Sequence, residues 1–324
     1  NSRNEIVLTS GTTESINLVA QSFCRPCLRA GDKIIVTHLE HHANIVPWQM
    51  VCEQTGAELV VAPINDQGEI ELEAMLDLID DKTFLIGMTH VSNALGTVCP
   101  VRKVVEHAKA LGIPVLVDGA QGVPHLDIDV QELGCDFYAF SGHKMFGPTG
   151  TGVLYGREAL LEAMPPWQGG GDMILEVTFD KTIYNDLPYK FEAGTPNIAG
   201  VVGLGAAIDY LQAIGMPRIA AYEHELHDYM VGELKKVEGI RLIGEARDKA
   251  SVQSFLLDDI HSHDLGTILD HQGVAIRTGH HCAMPAMQRL GISGTSRASV
   301  ALYNNRNDID RLVDALSKAK EIFA

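Results

Sequence analysis

The chain has 324 residues, 46% of them hydrophobic, and a formal net charge of −17. That length exceeds one small core and predicts one large or two medium domains. The acidic balance argues against nucleic-acid binding, which rests on basic patches, and no run of about 18 apolar residues offers a membrane span, as expected of a cytoplasmic protein.

Asn1-Ser2-Arg3-Asn4-Glu5 has neither an initiator methionine nor a signal-peptide pattern, and an apparent strand, Ile6-Val7-Leu8, follows at once. The chain therefore reads as a fragment. From there short apolar runs alternate with helical patterns. A helix is expected over residues 14–23, then Ile34-Ile35-Val36 as a strand and a helix over 43–55. Leu59-Val60-Val61 precedes a helix over 72–80, and Phe84-Leu85-Ile86 precedes one over 101–111. Val115-Leu116-Val117 stops at Asp118, and Phe137-Tyr138-Ala139-Phe140 stops at Ser141. Gly152-Val153-Leu154-Tyr155 follows a Gly-Pro-Thr-Gly turn. Strands alternating with helices predict an α/β fold with a largely parallel sheet, and continuous apolar runs are the mark of strands buried on both faces.

The pattern changes near residues 188–196. Helices are expected over 198–213 and 219–237, strands at Ile240-Arg241-Leu242-Ile243 and over 252–257, and a helix over 264–271. The strands Val274-Ala275-Ile276 and 298–303 precede a last helix over 308–323. A large domain over 1–214 and a smaller α+β domain over 215–324, carrying the Cys282 loop, are the expected division.

The chemistry-bearing residues gather at predicted strand ends. In parallel sheets ligands bind beyond the carboxyl ends of the strands, so Asp118 and Lys144 are expected at one rim. A lysine able to form a Schiff base, beside an anion that can face a ring nitrogen, suits pyridoxal phosphate; a capping aspartate and a surface lysine are the plain alternative. Ser10-Gly11-Thr12-Thr13-Glu14 lies between a strand and a helix, where free N–H groups can hold an anion or simply cap the helix. His41 can stack on an aromatic ring and move protons; with His38 and His42 it could instead bind metal, although the spacing lacks the HxxxH pattern. Asn93 could hold a substrate carboxylate or form a turn, and Gln121 could bond a cofactor oxygen or face solvent.

Arg277-Thr278-Gly279-His280-His281-Cys282-Ala283 is a loop with one thiol. Among cationic neighbours such a thiol is a nucleophile candidate; a buried inert cysteine or a zinc ligand are the alternatives. Arg297 has the fork geometry for a carboxylate. The six cysteines are too sparse for a disulfide scaffold, and Cys24-Arg25-Pro26-Cys27 lacks a second CxxC that would make a metal site.

Taken together, Gly11-Thr12-Thr13-Glu14, Glu40-His41-His42-Ala43-Asn44, Asp118-Gly119-Ala120-Gln121, Ser141-Gly142-His143-Lys144, Phe191-Glu192-Ala193-Gly194-Thr195-Pro196 and the Cys282 loop resemble the class V aminotransferase-like cysteine desulfurases, in the group that includes the SufS and CsdA proteins. The resemblance covers essentially the whole chain and implies the fold-type-I architecture: a mainly parallel seven-stranded sheet and a small C-terminal domain. It also implies several tens of residues ahead of residue 1. Lys144 would carry pyridoxal phosphate, Asp118 would keep its ring nitrogen charged, Gln121 would bond the ring oxygen and His41 would stack on the ring. Thr12, Thr13, Ser141 and His143 would hold the phosphate, with Thr195 reaching from a second subunit of a homodimer. Arg297, Asn93 and Arg277 would bind the substrate. Cys282 would attack the sulfur of L-cysteine, leaving L-alanine and a persulfide for a SufE- or SufU-type acceptor in iron–sulfur cluster assembly. L-selenocysteine is a second substrate by the same resemblance, and no metal is implied. Another lyase or aminotransferase of the same fold is the rival, and it would not need Cys282.

Overall fold

The computed structural model describes residues 2–258 and 260–323. Seven strands form the main sheet: β1 (Ile6–Thr9), β2 (Lys33–Thr37), β3 (Glu58–Ala62), β4 (Thr83–Thr89), β5 (Val115–Asp118), β6 (Phe137–Ser141) and β7 (Gly152–Gly156). Their spatial order is β1-β7-β6-β5-β4-β2-β3. The ladders from β3 through β6 are parallel, whereas β7 runs antiparallel to both β6 and β1. Two reversals restore the direction, so β1 points the same way as β6. The carboxyl ends of β1, β2, β4, β5 and β6 thus open at one rim, the usual place for a ligand in such a sheet.

Alternation along each strand feeds two cores. Ile35, Ile86, Val115 and Val117 face one side, with Val101, Val104, Val105 and Ala108 of the helix Val101–Ala110 packed on them. Ile34, Leu85, Leu116 and Phe137 face the other, against Ile16, Trp48 and Val51. Each such side chain contributes about 1.5–3 kcal/mol by leaving water, which makes the sheet a firm base for its rim.

The hairpin β8 (Ile174–Val177) and β9 (Thr182–Tyr184) stands out from this body with nearly every residue exposed. Beyond it, β10 (Ile240–Ile243), β11 (Val252–Leu257), β12 (Arg277–Gly279) and β13 (Thr295–Ser299) form an antiparallel sheet in the order β10-β11-β13-β12. Helices Met216–Leu234, Ser262–His271 and Arg306–Phe323 cover it around a separate core that includes Met230, Phe255, Leu269 and Leu316. The helix Ile198–Ile214 meets Met216–Leu234 at a 76° bend, with Gly215 at φ 96° between them. Among the described residues no single helix is long and apolar enough to cross a membrane.

Three local expectations shift. The first helix begins earlier, at Thr12, and continues through a wider turn at Val19–Cys24 to Cys27. Val274 and Ile276 pack on the small core but pair with no strand; the ladder begins at Arg277, opposite Arg297. The strand expected over 298–303 lies earlier, at Thr295–Ser299, because that segment is the one flanked by partners on both sides.

Candidate active site

Asp118 ends β5 and Ser141 ends β6, its parallel neighbour. The short turn Gly142–Met145 then carries Lys144 back over the rim. Asp118 is 3% exposed, and its Oδ1 accepts the Ala120 N–H at 2.9 Å. Among the described residues nothing donates to its other oxygen. Burial raises the Asp118 pKa, and the Lys144 charge pulls it back. Burial lowers the Lys144 pKa, with Asp118 and Cys282 favouring its charged form and Arg297 opposing it. The amine, the carboxylate and the thiol therefore share one electrostatic field.

The β1 turn reaches the same rim. Thr12 donates its N–H to Ser141 Oγ at 2.9 Å, and the two hydroxyls lie 2.8 Å apart. A Cβ on Gly152 would sit 2.4 Å from Gly11 Cα, so a glycine in β7 is what lets this turn approach. The N–H groups of Thr13 and Glu14 take no partner among the described residues, and Thr13 and His143 are exposed beside them. Gln121 is half-buried on the turn after Asp118. Thr195 is exposed on the loop before the helix Ile198–Ile214 and makes no hydrogen bond to this cluster among the described residues.

His41 sits at the end of the β2 loop, its Nδ1 accepting the Ala43 N–H at 3.0 Å. Burial first, then the charges of Lys144 and His42, lower its pKa to about 4. It is a neutral ring at physiological pH, suited to stacking or to accepting a proton but not to donating one. Behind it lies a hydrogen-bonded knot for which sequence reading offered no separate role. Glu40, fully buried, accepts from Thr37 Oγ1 at 2.6 Å, Asn44 Nδ2 at 2.6 Å and the Thr89 N–H at 3.1 Å. Asn44 Oδ1 in turn accepts the Trp48 indole N–H at 2.9 Å. Burial pushes the Glu40 carboxyl up to about 8 against these donors. The knot ties the ends of β2 and β4 together and so fixes where His41 stands. A glutamate directly before two histidines at a strand end was its only sequence signal.

The thiol arrives on the loop that follows β12 of the antiparallel sheet. His281 and Cys282 have φ values of 54° and 55°, two successive non-glycine residues in the left-handed region, which costs about 1–2 kcal/mol each. Cys282 is half-buried and unpaired. The Cys282 N–H donates to His280 Nδ1 at 3.0 Å. Asn93 Nδ2 donates to the His281 carbonyl at 2.6 Å, and Arg297 Nη1 donates to the Asn93 carbonyl at 2.5 Å. Asn93 thus bridges the thiol loop and Arg297, a contact its position in the sequence did not reveal. Burial and the charge of Arg297 lower the His281 pKa to about 4, and its Nε2 lies 2.8 Å from Thr295 Oγ1. Arg277 is exposed on β12, directly across the ladder from Arg297. His38 is tied to the Ala62 carbonyl at 3.1 Å, and among the described residues no cluster of three or more His, Cys, Asp or Glu side chains could hold a metal.

The residues fit pyridoxal phosphate. A buried carboxylate with one oxygen free of donors suits a charged ring nitrogen. A partly buried amine with a lowered pKa suits a Schiff base. Free backbone N–H groups beside Ser141 suit a phosphate.

The family model for class-V aminotransferases matches residues 1–312. A cysteine desulfurase of Yersinia pestis (strain Pestoides F) is 52% identical over 322 residues, covering 99% of this chain and 79% of its own. Among solved structures, the cysteine desulfurase CsdA from Escherichia coli superposes with a TM-score of 0.95 at 45% identity, covering 98% of this chain and 79% of that one. A cysteine desulfurase from Thermococcus onnurineus NA1, solved in its apo form, has a TM-score of 0.94 at 38% identity, with the same coverage.

Proposed function

The chain belongs to the class-V aminotransferase family, among its cysteine desulfurases, and from that membership we propose that it converts L-cysteine to L-alanine and keeps the sulfur as a persulfide on Cys282. The observation that carries this reading is that Asp118 and Lys144 follow neighbouring strands of one sheet while the Cys282 carbonyl is held at 2.8 Å by the His42 N–H of the β2 loop at the same rim, so the charges of Asp118 and Cys282 act on the amine.

When bound, pyridoxal phosphate supplies an electron sink for bond cleavage at the substrate's Cα. Lys144 would carry it and, with its lowered pKa, move the Cα proton. Asp118 would hold a positive charge at the ring nitrogen, Gln121 would bond the ring oxygen, and neutral His41 would cover the ring face. Thr12, Thr13, Ser141 and His143 would hold the phosphate. Arg297 would fork onto the substrate carboxylate, with Asn93 and Arg277 beside it. The Cys282 thiolate would then attack the substrate sulfur. The new S–S bond forms as the C–S bond breaks, its electron pair stays with carbon, and a proton there completes alanine.

The persulfide would pass to a SufE- or SufU-type acceptor for iron–sulfur cluster assembly, and L-selenocysteine would enter the same pocket. A homodimer is supported by the exposed apolar residues Leu175, Val177, Phe179, Ile198 and Val202. In it Thr195 would reach the partner's phosphate site. The two-domain division at residues 214 and 215 belongs to the same reading, with the sheet supplying the cofactor site and residues 215–324 the thiol.

The test is alanine and sulfide release from L-cysteine by the chain loaded with pyridoxal phosphate and by Cys282→Ala, with a thiol acceptor present. Loss of release by about a thousandfold or more is expected for the variant. Unchanged release would leave another lyase of this fold as the better reading.

A further inference from the structure

We propose that His42, the neighbour of the ring-stacking histidine, is a positioning residue that docks the Cys282 loop onto the large domain. This rests on the reading of Cys282 as the sulfur carrier. The His42 backbone N–H donates to the Cys282 carbonyl at 2.8 Å. Its side chain grips the same stretch two residues on, where Nε2 accepts the Met284 N–H at 3.2 Å. Its ring lies 5.6 Å from that of His280, tilted by 34°, and His280 Nδ1 takes the Cys282 N–H. One residue of the β2 loop therefore holds the thiol loop at Cys282 and Met284 directly, and through His280 as well.

These contacts matter because the loop is not at rest by itself. Two left-handed residues at its tip work against the docked shape. Each hydrogen bond returns about 0.5–1.5 kcal/mol net, so removing one is enough to shift the loop. The side-chain contact also fixes a protonation state. Nε2 can accept an N–H only when it carries no proton, so the docked loop requires neutral His42 with its proton on Nδ1. Burial and the nearby His280 both hold the His42 pKa below its ordinary value, in the direction the contact needs.

The test compares His42→Leu, which keeps bulk and loses the acceptor, with His42→Gln, whose amide oxygen can take the Met284 N–H. Both are made in the full chain loaded with pyridoxal phosphate. Alkylation of Cys282 by iodoacetamide is followed by peptide mass spectrometry, with the exposed Cys27 as internal reference. Cys282 in the Leu variant is expected to react about tenfold faster than wild type, and the Gln variant within about twofold of it. In the Leu variant kcat for alanine should fall while KM for L-cysteine holds, because Arg297 is untouched. Equal alkylation rates in all three proteins, or a Gln variant no closer to wild type than Leu, would overturn the proposal. If the Leu variant does not fold, hydrogen exchange in the wild type decides: a protected Met284 amide is expected, and exchange at the rate of a free loop overturns it. Neither alkylation nor hydrogen exchange needs sulfur chemistry, so a failure of the desulfurase reading would appear separately, as undiminished release by Cys282→Ala.

Discussion

The Lys144 amine and the Cys282 thiol reach the same rim by different means. Lys144 follows a strand locked between two neighbours, and its position is set by backbone ladders and a core that water does not enter. Cys282 stands on a loop whose tip is left-handed and whose place is set by side chains of other elements: His42, Asn93 and His280. Main-chain placement fails only with the fold, whereas side-chain placement can be undone one contact at a time. The proposed reaction, in which sulfur is taken up at Cys282 and then passed outward, would need the first kind of order for the chemistry and the second for the carrier.

The sharpest way to break this contrast is at the amine. Lys144→Ala is expected to lower alanine formation by about a thousandfold or more and to remove the visible absorbance of the bound cofactor, while the melting of the chain without cofactor stays close to wild type. Asp118→Asn should cost about 10²–10³ in rate with cofactor still bound; a rate within a few-fold of wild type would separate the carboxylate from the ring nitrogen. Asn44→Ala attacks the support rather than the chemistry. It strips a donor from buried Glu40 and an acceptor from Trp48, and should destabilise the chain by about 3 kcal/mol in urea unfolding. Asn93→Ala should free the Cys282 loop with a smaller effect, a few-fold faster alkylation of Cys282.

Acid probes both regions together. His41, His90, His227 and His281 all have pKa values lowered to about 4, each mainly by burial. When the chain unfolds they return to about 6.5 and bind protons. Their contribution is therefore complete above pH 6.5 and is lost as the pH falls from there towards 4. Urea unfolding near pH 5 should take up as many as about four protons from these groups, and replacing His90, whose ring bonds Tyr138 rather than the thiol loop, should reduce that uptake by about one.

Much of the amine side was legible in the sequence, because apolar runs ending in Asp118 and Ser141 announce both the strands and the rim. The thiol side was less so. Glu40, Asn44 and His42 sit in one short motif, yet only His41 could be given a stacking role, since Glu40 reaches across to β4 and His42 to residue 284, and Asn44 donates to Glu40. The hairpin at Ile174–Tyr184 escaped for a different reason: its outward-facing strands lack the buried face that makes a strand visible as a pattern. Val274 and Ile276 misled in the opposite sense, since packing on a core imitates a strand without any ladder.

The double reversal through β7 has a further consequence. The cup beside Ser141 is sewn from residues 129 positions apart, on opposite sides of the exposed turn at Asp80 and Asp81. A protein cut there would carry Gly11 and Thr12 on one fragment and Ser141 and Lys144 on the other, with edges made to zip across β2–β4 and β1–β7. Mixed together, the two halves would complete the cup only on reunion, making colour from bound vitamin B6 a direct gauge of fragment complementation.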